Sequence, residues 1–392
     1  NRLCMTSLNL IATTAFGIES VVKFELKKLG ITDTTVENGR IHFKGDYTTL
    51  AKCNLWLRSA DRVLIKIASF KAKDFEELFQ GTLAVHWGDI IPKNGFMHVI
   101  GKSVNSKLHS VPACQSTVKK AIIEVMKRKY PNETFSEDGA EYRIEIAMLN
   151  DEATITIDTS GAGLHKRGYR QAQGEAPLKE TLAAALIDMS RWKTNRTFVD
   201  PLCGSGTIPI EAALRAKNLA PGLNRAFAAE DWQEIPQKIW TDLRDEAKSL
   251  INNEPFEIFA SDIDSRVLKI ATENARLAGV NDVITFERLN VRDFKSSDKY
   301  GCIVCNPPYG ERMENRELDN PYGESTEQNK ELNRLYKNMG EAFLALDSWS
   351  LFILNSNEDF QKNFGKQSDK NRKLFNGGIK SYLYQYLGPM PK

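Results

Sequence analysis

The sequence predicts an α/β protein whose C-terminal half is a doubly wound, mostly parallel sheet with a closing antiparallel strand, preceded by two smaller α+β modules. Three observations carry that prediction. From Glu175 onward, short apolar runs alternate with helical patterns, the period of repeated βα units. A glycine turn, Gly204-Ser205-Gly206, stands between one such run and a helix. Before residue 159, an Asn38-Gly39 hairpin signal is embedded in apolar runs of strand period, which argues for antiparallel pairing there.

Taken in order, Leu8 to Thr13 alternate as a strand and Ile18 to Leu29 carry apolar residues at helical spacing before Gly30. A hairpin follows at Val36 to Ile41, then a helix from Tyr47 to Leu57 and a closing strand from Val63 to Phe70. Residues 1–65 thus take the βαββαβ order of a ferredoxin-like module. A second module, 66–158, holds a helix from Asp74 to Ala84, a strand from Phe96 to Gly101, a helix from Ala113 to Tyr130, and strands at Arg143 to Leu149 and Ala153 to Asp158. Residues 159–174 are glycine-rich and basic, and read as a linker. The domain 175–392 then gives strands at 198–200, 256–261, 283–287, 302–305 and 350–354, a last pair near Leu374 and 379–386, and helices from Thr207, Ser265 and Leu332.

Composition narrows the function. A chain of 392 residues with 41% hydrophobic and 27% charged content is long enough for two or three cores and is not a low-complexity polymer. No apolar run approaches the roughly 18 residues needed to span a bilayer, and no secretory leader is visible, so a cytoplasmic protein is expected. The cysteines have no framework spacing. Cys302 and Cys305 form a CxxC inside a strand pattern with no second pair, and the histidines lack ligand spacing; no metal is expected. Residues 1–130 carry 20 Lys+Arg against 11 Asp+Glu, which suggests that the front half meets a polyanion. Lys102, Lys107, His109, Lys119 and Lys120, set among small hydrogen-bonding side chains, suit phosphate and sugar contacts. Arg167 and Arg170 in the linker, Arg312, and the basic stretch around Arg372 and Lys373 extend the expected polyanion-binding surface.

The glycine turn begins Asp200-Pro201-Leu202-Cys203 and ends in Thr207. A dinucleotide fingerprint fits poorly, because Pro209 stands where a third glycine belongs and the acid ending the next strand, Asp262, comes about sixty residues on rather than about twenty. Asp200 opening the turn suits a cationic ligand without a pyrophosphate, such as S-adenosylmethionine. Asp262 is placed for ribose hydroxyls, Ile263 for the adenine face and Asp293 for the adenine amine. Directly after the apolar run 302–305 comes Asn306-Pro307-Pro308-Tyr309. The prolines remove two donors and stiffen the turn, leaving the Asn306 oxygen and nearby carbonyls as acceptors beside an aromatic ring. That surface suits a flat group bearing an exocyclic NH2, stacked on Tyr309.

These residues, with Asp200 to Ala213, Asn306 to Arg312 and Asn371 to Lys380, resemble bacterial THUMP-domain RNA methyltransferases that modify guanine N2 in large-subunit ribosomal RNA. The resemblance covers essentially the whole chain. It implies a THUMP domain at 66–158, a Rossmann-like class I methyltransferase domain at 175–392, and a donor site built on Asp200, Pro201, Cys203, Gly204, Ser205, Gly206, Thr207, Asp262, Ile263, Asp293 and Asn306. The segment holding Pro177 and Lys179 is implied to line the methionine end. Asn306, Pro307, Pro308 and Tyr309 are implied to be catalytic, and 23S ribosomal RNA or a ribosome assembly intermediate the partner. No second methyltransferase is expected. Adenine N6 or a tRNA guanine as acceptor, a protein glutamine amide, a non-catalytic RNA-binding assembly factor and a nicotinamide oxidoreductase remain as rivals.

Overall fold

The computed structural model describes residues 7–131, 134–170, 178–309 and 327–391. The chain divides into two compact units. The first takes in the residues up to Thr14, Val22–Leu164 and Gly222–Ala247; the second takes in Ala15–Val21, His165–Pro221 and the chain from Lys248 onward.

The first unit is built on one seven-stranded sheet. β1 (Leu8–Thr13), α1 (Glu19–Lys28), β2 (Thr34–Glu37), β3 (Arg40–Gly45), α2 (Tyr47–Trp56) and β4 (Arg62–Lys71) appear in the expected ferredoxin-like order. Glu37 pairs with Arg40 across a two-residue turn whose Gly39 has φ +70°, the left-handed backbone such a turn needs. Asp46 starts α2 by accepting from Thr49 N at 2.8 Å. α3 (Phe75–Leu83), β5 (Phe96–Val104), α4 (Val111–Lys129), β6 (Glu141–Leu149) and β7 (Glu152–Asp158) follow. The strands lie in the order β2-β3-β1-β4-β7-β6-β5, and only β5 and β6 run parallel. The two modules thus share a sheet through the β4–β7 pairing.

Gly222–Ala247 is a part of this unit that the sequence reading assigned to the C-terminal domain. Its Trp232 stacks on Tyr142 of β6 with ring centroids 4.8 Å apart, and the indole Nε1 donates to Glu141 O at 3.0 Å. Tyr142 in turn donates from Oη to Glu234 Oε2 at 3.0 Å.

The second unit begins with α5 (Glu180–Ser190), β8 (Phe198–Asp200) and α6 (Thr207–Ala216). After α7 (Gln237–Ser249), which lies mostly in the first unit, it resumes with β9 (Ile258–Asp262), α8 (Ser265–Leu277), β10 (Ile284–Arg288) and β11 (Cys302–Cys305). α9 (Glu327–Leu344), β12 (Ser350–Asn355), α10 (Phe360–Phe364), β13 (Lys370–Asn376) and β14 (Ile379–Tyr386) complete it. The strand order is β10-β9-β8-β11-β12-β14-β13, parallel from β10 to β12 and antiparallel at β14. This is the doubly wound arrangement the alternation predicts.

Alternate side chains feed two cores. Phe198, Cys302 and Val304 join α5, α6 and α8 on one face, while Val199, Ile303 and Cys305 join Leu332, Tyr336, Met339 and Phe343 of α9 on the other. Cys302 and Cys305 therefore point to opposite faces of the sheet and are not a redox pair. Three helices escaped the sequence reading, among them the five-residue α10. α5 is buried on nearly every side, so it has no amphipathic period to detect. α7 lies in a segment with few apolar residues. α9 also starts at Glu327, five residues before the expected Leu332.

Candidate active site

Four parallel strands end side by side. Asp200 on β8 pairs with Ala260 on β9, Asp262 with Arg288 on β10, and β11 runs beside β8 from Cys302 opposite Phe198. The chain winds outward from β8 in both directions, and that reversal is where open α/β sheets form a crevice beyond the strand ends. The glycine turn leaves from β8 and Asn306 from the adjacent β11.

Backbone bonds fix the turn. Cys203 N donates to Ser261 O at 2.9 Å and Gly206 N to Cys203 O at 2.8 Å, while Asn274 Nδ2 of α8 donates to Ser205 O at 3.0 Å. Gly204 N donates to Asp262 Oδ2 and Asp264 N to Asp262 Oδ1, each at 3.0 Å. The carboxylate is thereby held by two loops, and each oxygen keeps a second lone pair for a hydroxyl donor. The glycines differ in use. At Gly204, φ +51°, an added Cβ would enter open space; at Gly206, φ +84°, it would stand 3.0 Å from Ala271 Cβ. Gly204 leaves open space beside its backbone, whereas Gly206 lets α6 close on α8.

Asp200 is 1% exposed and accepts from Leu202 N at 3.2 Å. Burial pushes its pKa well above the usual carboxylate range, the Leu202 N–H opposes that, and neighbouring Asp262 adds to it. The Cys203 thiol is raised by burial and then by the same two carboxylates. A positive charge entering the crevice relieves both. Pro201 is buried in the turn, and Lys179 precedes the first residue of α5. Ile263 is 58% exposed, an apolar side chain open to a flat partner. Asp293 is exposed beside Arg292. Pro177 and Arg312 lie outside the described residues.

At the end of β11 the Asn306 Oδ1 atom is buried and has no hydrogen-bond donor among the described residues. A buried polar atom is usually satisfied, and this oxygen keeps acceptor capacity that no described residue uses. Pro307 is buried, Pro308 exposed and Tyr309 half-buried. Tyr336 of α9, fully buried and edge-on to Phe360, donates from Oη to Pro308 O at 2.8 Å. That tether was missed. Its only trace in the sequence is a tyrosine within the apolar stripe Leu332, Tyr336, Met339 and Phe343, where a hydroxyl needs a partner.

Family profiles match a RlmL ferredoxin-like domain at residues 9–64, a THUMP domain at 72–158, and an RMKL-like methyltransferase domain at 167–320 and 317–385. The chain belongs to the RMKL-like methyltransferase family. Its relative YpsC of Bacillus subtilis (strain 168), provisionally named an RNA methyltransferase, is 51% identical over 385 residues, 97% of this chain and 96% of its own. A Listeria monocytogenes str. 4b F2365 protein, predicted to be an N6-adenine-specific DNA methylase, has a crystal structure with TM-score 0.91 at 48% identity, covering 98% of this chain and 97% of that one. SMU.472, provisionally a methyltransferase and crystallised with S-adenosylhomocysteine, gives TM-score 0.90 at 44% identity over 99% of this chain and 100% of its own.

In this RMKL-like chain the expected RNA residues separate into two classes. Lys107, His109 and Lys120 are exposed on the first unit. Lys102 and Lys119 are paired, with Glu145 at 2.6 Å and Glu137 at 2.9 Å. Residues 131–160 carry eight carboxylates against a single arginine, so the basic surplus of residues 1–130 is largely cancelled by the next thirty residues of the chain. In the second unit Arg372 donates to Ser20 Oγ at 2.9 Å, and the exposed Lys373 lies 5.4 Å from the Phe375 ring centroid. The expectation fails at Arg167. Its side chain is 2% exposed and meets the Glu211 carboxylate in a two-pronged contact, Nε to Oε1 and Nη2 to Oε2, both 3.2 Å. A guanidinium so enclosed cannot reach a phosphate. Arg170 is likewise turned inward, its side chain 13% exposed. No helix among the described residues is long and apolar enough to cross a membrane.

Proposed function

We propose that this protein is an S-adenosylmethionine-dependent RNA methyltransferase that methylates the exocyclic N2 amine of a guanine, with 23S ribosomal RNA or its assembly intermediate as substrate and the cytoplasm as its place of action. The observation that carries the reading is the buried Asn306 Oδ1, without a partner among the described residues, at the end of β11 next to the β8 strand that carries the glycine turn. RNA as the acceptor is supported by the THUMP match and by the name given to YpsC.

The donor site fits S-adenosylmethionine. Open space at Gly204 admits a ligand to the backbone, Asp262 offers lone pairs to ribose hydroxyls, and Asp200 gains from a cation nearby. When bound, that donor supplies an electrophilic methyl group on a sulfonium. The chain's own residues do the rest. Asn306 Oδ1 and the Pro307 carbonyl accept the two amine hydrogens of a base flipped out of its stack, which turns the nitrogen lone pair, otherwise delocalised into the ring, toward the crevice. Tyr309 stacks on the ring, and Tyr336 holds the corner through Pro308. Alignment supplies most of the rate. No strong base is required, because the amine proton becomes acidic as the new bond forms and leaves to water.

Tritium transfer from labelled donor to RNA, DNA and protein in parallel tests the reading. Digested RNA should yield N2-methylguanosine, mapped to ribosomal RNA from a deletion strain. Label recovered as N6-methyladenine in DNA, the activity in the Listeria relative's name, would overturn it.

A further inference from the structure

The segment that carries Arg167, Tyr169 and Arg170 is a rack for the donor loop. Arg167 grips Glu211, one turn inside α6, and Tyr169 Oη donates to the same carboxylate at 3.1 Å. Arg170 reaches the helix start: its Nη2 donates to Thr207 Oγ1 and, at 3.3 Å, to the Leu178 carbonyl, while its Nη1 lies 3.4 Å from Glu180 Oε1. One guanidinium therefore joins the first residue of α6, directly after the glycine turn, to the residues that open α5. Glu180 is 4% exposed at its side chain, so the pair is largely removed from solvent, where charged hydrogen bonds are strongest.

We infer that Arg170, braced by Glu180, is a positioning residue that fixes the Leu178–Glu180 lip against Thr207 and so sets the width of the S-adenosylmethionine crevice. The inference rests on the proposed donor. Arg170 touches no reacting atom; it acts by holding two walls of the pocket at a fixed separation. A planar fork does this with directed bonds, which a lysine point charge cannot reproduce.

Calorimetric titration of S-adenosylhomocysteine into the full chain tests it, alongside filter binding of RNA at two salt concentrations. Arg170→Gln should weaken S-adenosylhomocysteine roughly 10-fold or more and leave RNA affinity and its salt dependence unchanged. Arg170→Lys should recover only part of the loss. Thr207→Val should weaken binding less, and its effect should not add to that of Arg170→Gln. If the glutamine variant fails to fold, the lysine and valine variants carry the test. Unchanged S-adenosylhomocysteine affinity in a folded variant, even with a lowered melting temperature, would show a merely structural role. A weaker RNA complex with a shallower salt slope would return Arg170 to the nucleic acid. Failure of the unmodified protein to bind S-adenosylhomocysteine would instead sink the proposed function.

Discussion

Glu211 and Asn306 lie in the same unit and treat buried polarity in opposite ways. The Glu211 carboxylate accepts from Arg167 and Tyr169 and is 1% exposed. The Asn306 oxygen is as well buried and accepts from nothing among the described residues. The first arrangement is complete without a ligand and contributes to folding. The second has acceptor capacity that the described residues leave unfilled, and an unmet buried acceptor costs free energy that an N–H donor returns.

The largest effect should come from breaking the complete site. Arg167→Met leaves Glu211 buried with its countercharge removed, and should cost about 3–5 kcal/mol of stability, read by denaturant unfolding. A loss below about 1 kcal/mol would mean that the pair is solvated and the contrast false. Asn306→Ala should do the reverse: turnover falls about 10²- to 10³-fold, while stability holds within about 0.5 kcal/mol and donor affinity changes little. Normal RNA methylation by that variant would remove Asn306 from the chemistry.

A smaller effect sharpens the contrast at Asp200. Its folded pKa is raised by burial and by Asp262, so its contribution to stability is present below the unfolded pKa and is lost as pH rises through the folded one. A cationic ligand favours the ionised form, hence affinity for it should climb with pH over that window, by at most about tenfold per unit for one linked proton. S-adenosylmethionine should show this climb and S-adenosylhomocysteine, with its neutral sulfur, a weaker one; parallel profiles would exclude Asp200 as the group that senses the sulfonium.

Much of this was legible in the sequence where the signal is local. β1, β8 and β11 have the bounds that their apolar runs predict, and Asn306 stands out because proline after proline at a strand end leaves few other readings. The failures share a cause. Arginine in a glycine-rich stretch looks the same whether it faces solvent or a carboxylate, and the partner of Arg167 is 44 residues away. Lys102 and Lys119 look available until the acids of residues 131–160 fold beside them. Buried α5 has no polar face to give it a period, and the stack of Trp232 on Tyr142 spans 90 residues of chain that no spacing rule connects.

The excursion of Gly222–Ala247 into the first unit bears on how such a protein can be taken apart. A fragment cut at Leu164 would leave Tyr142 without its indole and Glu141 without the N–H that its carbonyl accepts. The catalytic half, freed in the same way, would carry a long foreign loop with tryptophans that belong elsewhere. The front modules are therefore not a detachable cartridge: recombination that swaps them must also exchange a stretch lying some sixty residues downstream of the cut, which ties their inheritance to that of the methyltransferase domain.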